Sequence, residues 1–184
     1  MMQLRNSSTA YGWIAITLHW TVAAAVFAMF GLGLWMRRLN YYDSWYHAAP
    51  ELHKSVGILL LLILICRLIW RIINIRPNLI GSHWEQFLAL LVHRTHYILL
   101  FSLLLTGYLI PTAEGVGIDI FGWFTIPALL ILNQESTDLI GRLHLYCAWS
   151  VIALACLHSA AALKHHLIDR DQTLLRMLYV TKRR

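Results

Sequence analysis

The chain has 184 residues, of which 59% are hydrophobic and 13% charged, with a formal net charge of +6 and a mean hydropathy of +0.59. A charged share about half that of a soluble domain excludes an ordinary water-soluble fold and points to an integral membrane protein. The length suits one small domain, because four crossings of about 20 residues leave little for a soluble module.

The first apolar run, about residues 11–36, carries His19 and no Asp, Glu, Lys or Arg, and ends at Arg37-Arg38. A secretory signal core spans about 7–15 residues, and this run continues well past Ala23-Ala24-Ala25, so a retained helix is expected. The second run, about 51–73, opens on His53 and holds Arg67 and Arg71 in its last turns, where such side chains snorkel to the interface. A polar loop with Pro77, Asn78, Gly81 and Ser82 follows, and then the third run, about 87–110, with His93 and His96 near its start and Pro111 at its end.

The connection 111–138 is long. Its stretch from Ile118 to Leu132 sets Phe121, Trp123 and Phe124 beside Gly122 and Pro127. It is too short and broken to span, and its composition predicts a segment at the membrane–water interface. The fourth run, about 139–163, contains His144 and His158 and leads into Lys164-His165-His166. The expected fold class is all-α, an integral membrane four-helix bundle forming one domain over 1–184.

Eleven of the 15 Lys and Arg fall on one side: Arg5, the four from Arg67 to Arg94, and six from Lys164 onward. The opposite side has Arg37, Arg38, Lys54 and Arg142, with six acids: Asp43, Glu51, Glu114, Asp119, Glu135 and Asp138. The positive-inside rule then predicts both termini in the cytoplasm, with loop 111–138 facing outward. Because the basic residues follow this topology and do not gather on one face, no nucleic-acid partner is implied. Cys66, Cys147 and Cys156 all lie in apolar runs, without a C-x-x-C pair or a c-type haem motif, and are expected to be buried small hydrophobes.

Four histidines carry the chemistry. His144 and His158 are 14 residues apart, close to four helical turns, so both face one side of a helix about 21 Å apart along its axis. His19 lies roughly 12 Å from the inner end of the first run, a depth similar to that of His158, and His53 matches His144 near the outer ends. Ionisable groups inside a membrane are rare and usually functional. Two levels of paired imidazoles, His19 with His158 and His53 with His144, suit two b-type haems. Two axial nitrogens close each iron to dioxygen and leave it to carry single electrons.

Other residues keep two readings open. His93 and His96 are rival ligands to His19 or contacts for propionate or quinone. His165 and His166 are interfacial residues or a quinone contact. Arg67, Arg71 and Arg94 on the inner side, and Arg37, Arg38, Lys54 and Arg142 on the outer side, are helix-end anchors or propionate partners. A metal-ion or small-solute permease is a reading of another class; the absence of Asp and Glu from the helix interiors disfavours it.

The motifs together resemble the bacterial cytochrome b561 family, short four-helix membrane proteins related to the cytochrome b subunits of hydrogenases and formate dehydrogenases. The resemblance rests on TLHW around His19, YHAAPELHKSVGILL with His53, HRTHYILLFSLLLTGYLI, FGWF, LHLYCAWSVIALACLHSAAALKHHLIDRD and TLLRML. It covers nearly the whole chain and lies in the order and spacing of the motifs. The resemblance implies two haem b groups on His19, His53, His144 and His158, exchange with the quinone pool, and His165 over His166 as the residue that meets ubiquinone. It also implies a periplasmic redox partner or, in members similar to superoxide oxidases, superoxide itself. Six acids against four bases on the outer side are a poor lure for that anion. An anchor subunit of a larger respiratory complex is the alternative within the same chemistry.

Overall fold

The computed structural model describes residues 3–180; Lys182, Arg183 and Arg184, counted above toward the cytoplasmic side, lie outside the described residues. Four long helices dominate: α1 (Trp13–Met36), α2 (Ala48–Ile73), α3 (His83–Thr112) and α4 (Gln134–Leu167). Their lengths run from 24 to 34 residues, and at about 1.5 Å per residue each exceeds a hydrocarbon core of about 30 Å. All four are apolar enough to cross a membrane. Leu62, Ile69, Ile72, Ile98 and Leu157 point outward from them, which water would penalise and lipid accepts. The chain is an all-α membrane protein with one small hairpin.

Three of the helices begin earlier than the apolar runs suggest, because polar caps lie outside those runs. Ser82 and Glu85 form a reciprocal cap at the start of α3: Ser82 N–H donates to Glu85 Oε2 at 2.8 Å, and Glu85 N–H to Ser82 Oγ at 3.4 Å. Asn133 caps α4 by accepting from Ser136 N–H at 2.8 Å. Pro50 falls in the first turn of α2, where its missing N–H costs nothing. Pro111 does not end α3, which continues to Thr112.

The described residues divide into two compact units. The first gathers the chain up to Ala23, Ile63–Tyr97 and everything from Ile152 on; the second holds Ala24–Leu62 and Ile98–Val151. Each contains a segment of all four helices. In the first unit the N-terminal strap and the C-terminal tail are tied to the helices. Asn6 contacts Asn74 and Ile75, Trp20 Nε1–H donates to the Met177 carbonyl at 2.7 Å, and Arg176 donates to the Asn78 carbonyl at 2.8 Å.

In the second unit the connection after α3 folds as an antiparallel hairpin, β1 (Ile118–Ile120) and β2 (Phe124–Ile126), with Ile118 opposite Ile126. Phe121 and Gly122 adopt φ of 53° and 75° at its turn, a left-handed pair suited to a tight hairpin. Ile118 and Ile120 are buried with Ile58, while Trp123 is 80% exposed. Ser55 Oγ donates to the Asp119 carbonyl at 3.1 Å and accepts from Phe121 N–H at 3.3 Å, and the Tyr108 hydroxyl donates to the Pro127 carbonyl at 2.7 Å. The segment read from sequence as too short and broken to span is thus partly a strand pair pinned to α2 and α3.

Cys66 and Cys156 are exposed and Cys147 half-buried, which corrects the expectation of buried cysteines. They sit on the outward faces of membrane-length helices, where a thiol meets lipid as readily as it meets a core.

Candidate functional site

Each unit contains an imidazole pair. In the second, His53 of α2 faces His144 of α4 with ring centroids 6.3 Å apart and planes at 74°. In the first, His19 of α1 faces His158 of α4 at 6.4 Å and 68°. A metal held between two imidazole nitrogens, with bonds of about 2.0 Å to each, places the centroids roughly 6 Å apart. Both pairs have the separation that a six-coordinate iron between them requires.

The His53–His144 pair is closely fitted. His144 Nδ1 lies 3.0 Å from the Leu103 carbonyl and 3.2 Å from Thr106 Oγ1. A carbonyl only accepts, so the proton is on Nδ1 and Nε2 keeps its lone pair for a metal. His53 Nδ1 is buried without a partner among the described residues. The ring of His53 rests against Gly33, where a Cβ would lie 3.3 Å from Cε1. A cavity of about 550 Å³ opens beside the pair, with Phe30, Gly33, Arg37, Gly141 and Arg142 in its wall. Asp138 also lines it, and the apolar wall with the guanidinium groups of Arg37 and Arg142 suits a planar apolar ring with anionic substituents. Lys54 does not line it and is paired with Glu51 at 2.6 Å.

The His19–His158 pair is more crowded. His93 and His96 of α3 approach His158 at centroid distances of 5.4 and 5.6 Å, shorter than either facing pair. His96 Nδ1 is 3.0 Å from the Val92 carbonyl on its own helix. Arg67 Nη2 lies 2.8 Å from His19 Nδ1, and since a guanidinium only donates, Nδ1 accepts and the ring proton sits on Nε2. That tautomer is the reverse of the one at His144. Arg67 and Arg71 also lie over the Tyr97 ring at 5.7 and 5.3 Å. Neither has a carboxylate partner among the described residues.

His165 belongs to an ionic cluster at the end of α4. Its Nδ1 is 2.7 Å from Asp171 and 3.1 Å from Asp169, and Lys164 reaches Glu85 at 2.6 Å and Asp169 at 2.7 Å. Burial pushes the Asp171 carboxyl up, but hydrogen bonds from Thr173 and the nearby His165 outweigh it and hold the pKa below the ordinary value of 3.8. Arg38 and Arg94 are exposed. Leu103, Thr106 and Gly107 escaped the reading of the sequence. The isolated glycine inside an apolar helix was the available sign of a close approach.

The sequence profile of the family described as prokaryotic cytochrome b561 matches residues 10–179. The chain is 48% identical over 179 residues to cytochrome b561 homolog 2 of Escherichia coli (strain K12), covering 96% of this chain and 95% of that one. It is 30% identical to cytochrome b561 homolog 1 of the same organism over 168 residues, 89% of this chain and 93% of that one. It is 27% identical over 171 residues to the probable superoxide oxidase CybB of Yersinia pestis, covering 91% and 95% respectively.

Proposed function

The chain belongs to the prokaryotic cytochrome b561 family, and we propose that it is a single-domain electron carrier of the bacterial inner membrane with two b-type haems. The observation that carries this reading is the near-equal separation of two imidazole pairs, 6.3 and 6.4 Å, in two different units. Haem bound between paired imidazoles supplies a one-electron ferric–ferrous couple with no open position for dioxygen.

The residues then have distinct tasks. His53 and His144 hold the outer group and His19 and His158 the inner one, with both termini cytoplasmic. Arg37 and Arg142 neutralise propionates at the outer cavity, and Arg67 and Arg71 do so at the inner pair. His165, oriented by Asp171, presents Nε2 to a ubiquinone head group and exchanges a proton as the quinone takes up electrons. His96 is a neighbour of the inner pair. Electrons pass between an outer-face donor and the quinone pool.

One comparison suggests a donor to test. A relative named as a superoxide oxidase makes superoxide a candidate, in which case one electron leaves the anion, dioxygen is released, and the electron passes inward to ubiquinone. A reduced-minus-oxidised spectrum with haem quantified as pyridine haemochrome tests the cofactor: two haems per chain are expected, and a colourless protein overturns the reading. Generating superoxide beside the oxidised protein then tests the donor. Haem reduction that superoxide dismutase abolishes identifies superoxide, while unchanged spectra assign the outer site to a protein or small-molecule partner.

A further inference from the structure

α3 gives no ligand to the His53–His144 pair, yet it touches His144 at three points. The Leu103 carbonyl lies 3.0 Å from Nδ1 and Thr106 Oγ1 lies 3.2 Å from it. Gly107 supplies the third contact, because a Cβ there would stand 3.0 Å from His144 Cε1 and 3.4 Å from Nδ1. The Thr106 hydroxyl can place its own proton on the Ser102 carbonyl at 2.8 Å or the Leu103 carbonyl at 2.9 Å. Its lone pairs are therefore free to accept from the His144 N–H. Glycine inside a helix weakens it, and at Gly107 the missing side chain is what leaves room for the His144 ring.

We propose that the Leu103–Thr106–Gly107 face of α3 is the positioning element of the outer haem site, fixing the tautomer and the seat of the His144 ring and thereby setting the redox potential and ligand-plane angle of that site alone. The inference rests on the reading of His53 and His144 as an axial pair. Donation of Nδ1–H to oxygen makes an imidazole a stronger electron donor to its metal, which favours the oxidised state and lowers the potential. Among the described residues His53 Nδ1 has no such partner, whereas α3 supplies one to His144. The planes of the pair stand at 74°. Near-perpendicular axial imidazoles leave the two iron π orbitals almost degenerate, and the ferric resonance is then strongly anisotropic. Gly107 helps keep that angle, because a methyl group there would press on the Cε1–Nδ1 edge of a ring with no flexible end to yield.

The test uses the full-length haem-loaded protein in detergent, with Thr106→Val, Thr106→Ser, Gly107→Ala and His53→Ala. The readouts are haem content, potentiometric titration of the α-band and electron paramagnetic resonance of the ferric state. Thr106→Val should raise one of two midpoint potentials by roughly three- to tenfold in electron partition, up to about 59 mV for one electron. Thr106→Ser should restore it. Gly107→Ala should alter the anisotropy of one ferric signal. The wave and signal affected should be those missing from His53→Ala. If Gly107→Ala loses the haem outright, the pair Thr106→Val and Thr106→Ser decides, since neither adds bulk at the ring. Both waves unmoved by Thr106→Val, or movement of the wave that survives in His53→Ala, overturns the inference. A parent protein without two haems overturns the axial-pair reading beneath it.

Discussion

The two units carry imidazole pairs of almost the same separation but prepared in opposite ways. In the second unit, His144 already has its proton on Nδ1, held toward Leu103, and a cavity of about 550 Å³ lies beside the pair. In the first, Arg67 donates to His19 Nδ1, and two further imidazoles crowd His158. For His19 to hold a metal through Nε2, its ring proton would have to lie on Nδ1, the atom that faces the Arg67 guanidinium. The two pairs share a separation, and the hydrogen bonds behind each ring set how the proposed ligands would bind a metal.

The largest effects should come from the ligands. His144→Ala or His53→Ala is expected to halve the haem content by removing the outer group and leaving much of the inner one. His19→Ala or His158→Ala should do the converse. Loss of both haems from every one of these variants would break the comparison, meaning either a wrong pairing or collapse of the fold.

His93→Ala and His96→Ala sharpen the crowded side. Each should keep two haems per chain while shifting the spectrum of the inner one, because their separations from His158 are shorter than an intervening iron allows. A one-haem product from either would make that residue, and not His19, the partner of His158.

Smaller effects test what supports each unit. Ser55→Ala removes both hydrogen bonds that tie the hairpin to α2, and Ser55 is 2% exposed. A loss of about 1–3 kcal/mol is expected for the buried groups left unpaired. It should be measured as a lower melting temperature with the haem count intact. The smallest effect concerns Asp171 in the first unit. Its folded pKa lies below the ordinary 3.8, so its stabilising contribution is present above that value and is lost as pH falls through the lowered one. Limited proteolysis of the C-terminal tail should accelerate at that acid limit in the parent chain. Asp171→Asn should remove this pH dependence.

The sequence by itself determined the class of protein and the existence of four spans. Hydrocarbon thickness fixes the length of a crossing helix, and apolar runs of that length have few other uses. It also pointed to His19, His53, His144 and His158, since 14 residues on one helix bring two rings to one face whatever packs against them. The caps were legible but unread: Ser82-x-x-Glu85 and Asn133 lie outside the apolar runs, so the start of α3 and of α4 was set too late. Only the tertiary structure decided the rest. The outward placement of Cys66 and Cys156 was not legible, because composition cannot distinguish a lipid-facing position from a core one. The segment after α3 pairs as a hairpin because Ser55 and Tyr108, distant in sequence, supply its anchors. Arg37, and not Lys54, borders the cavity beside His53 and His144, and Lys54 is paired with Glu51. Leu103, Thr106 and Gly107 matter through what they place beside a ring on another helix, and such proximity is a property of packing that no local pattern in the chain encodes.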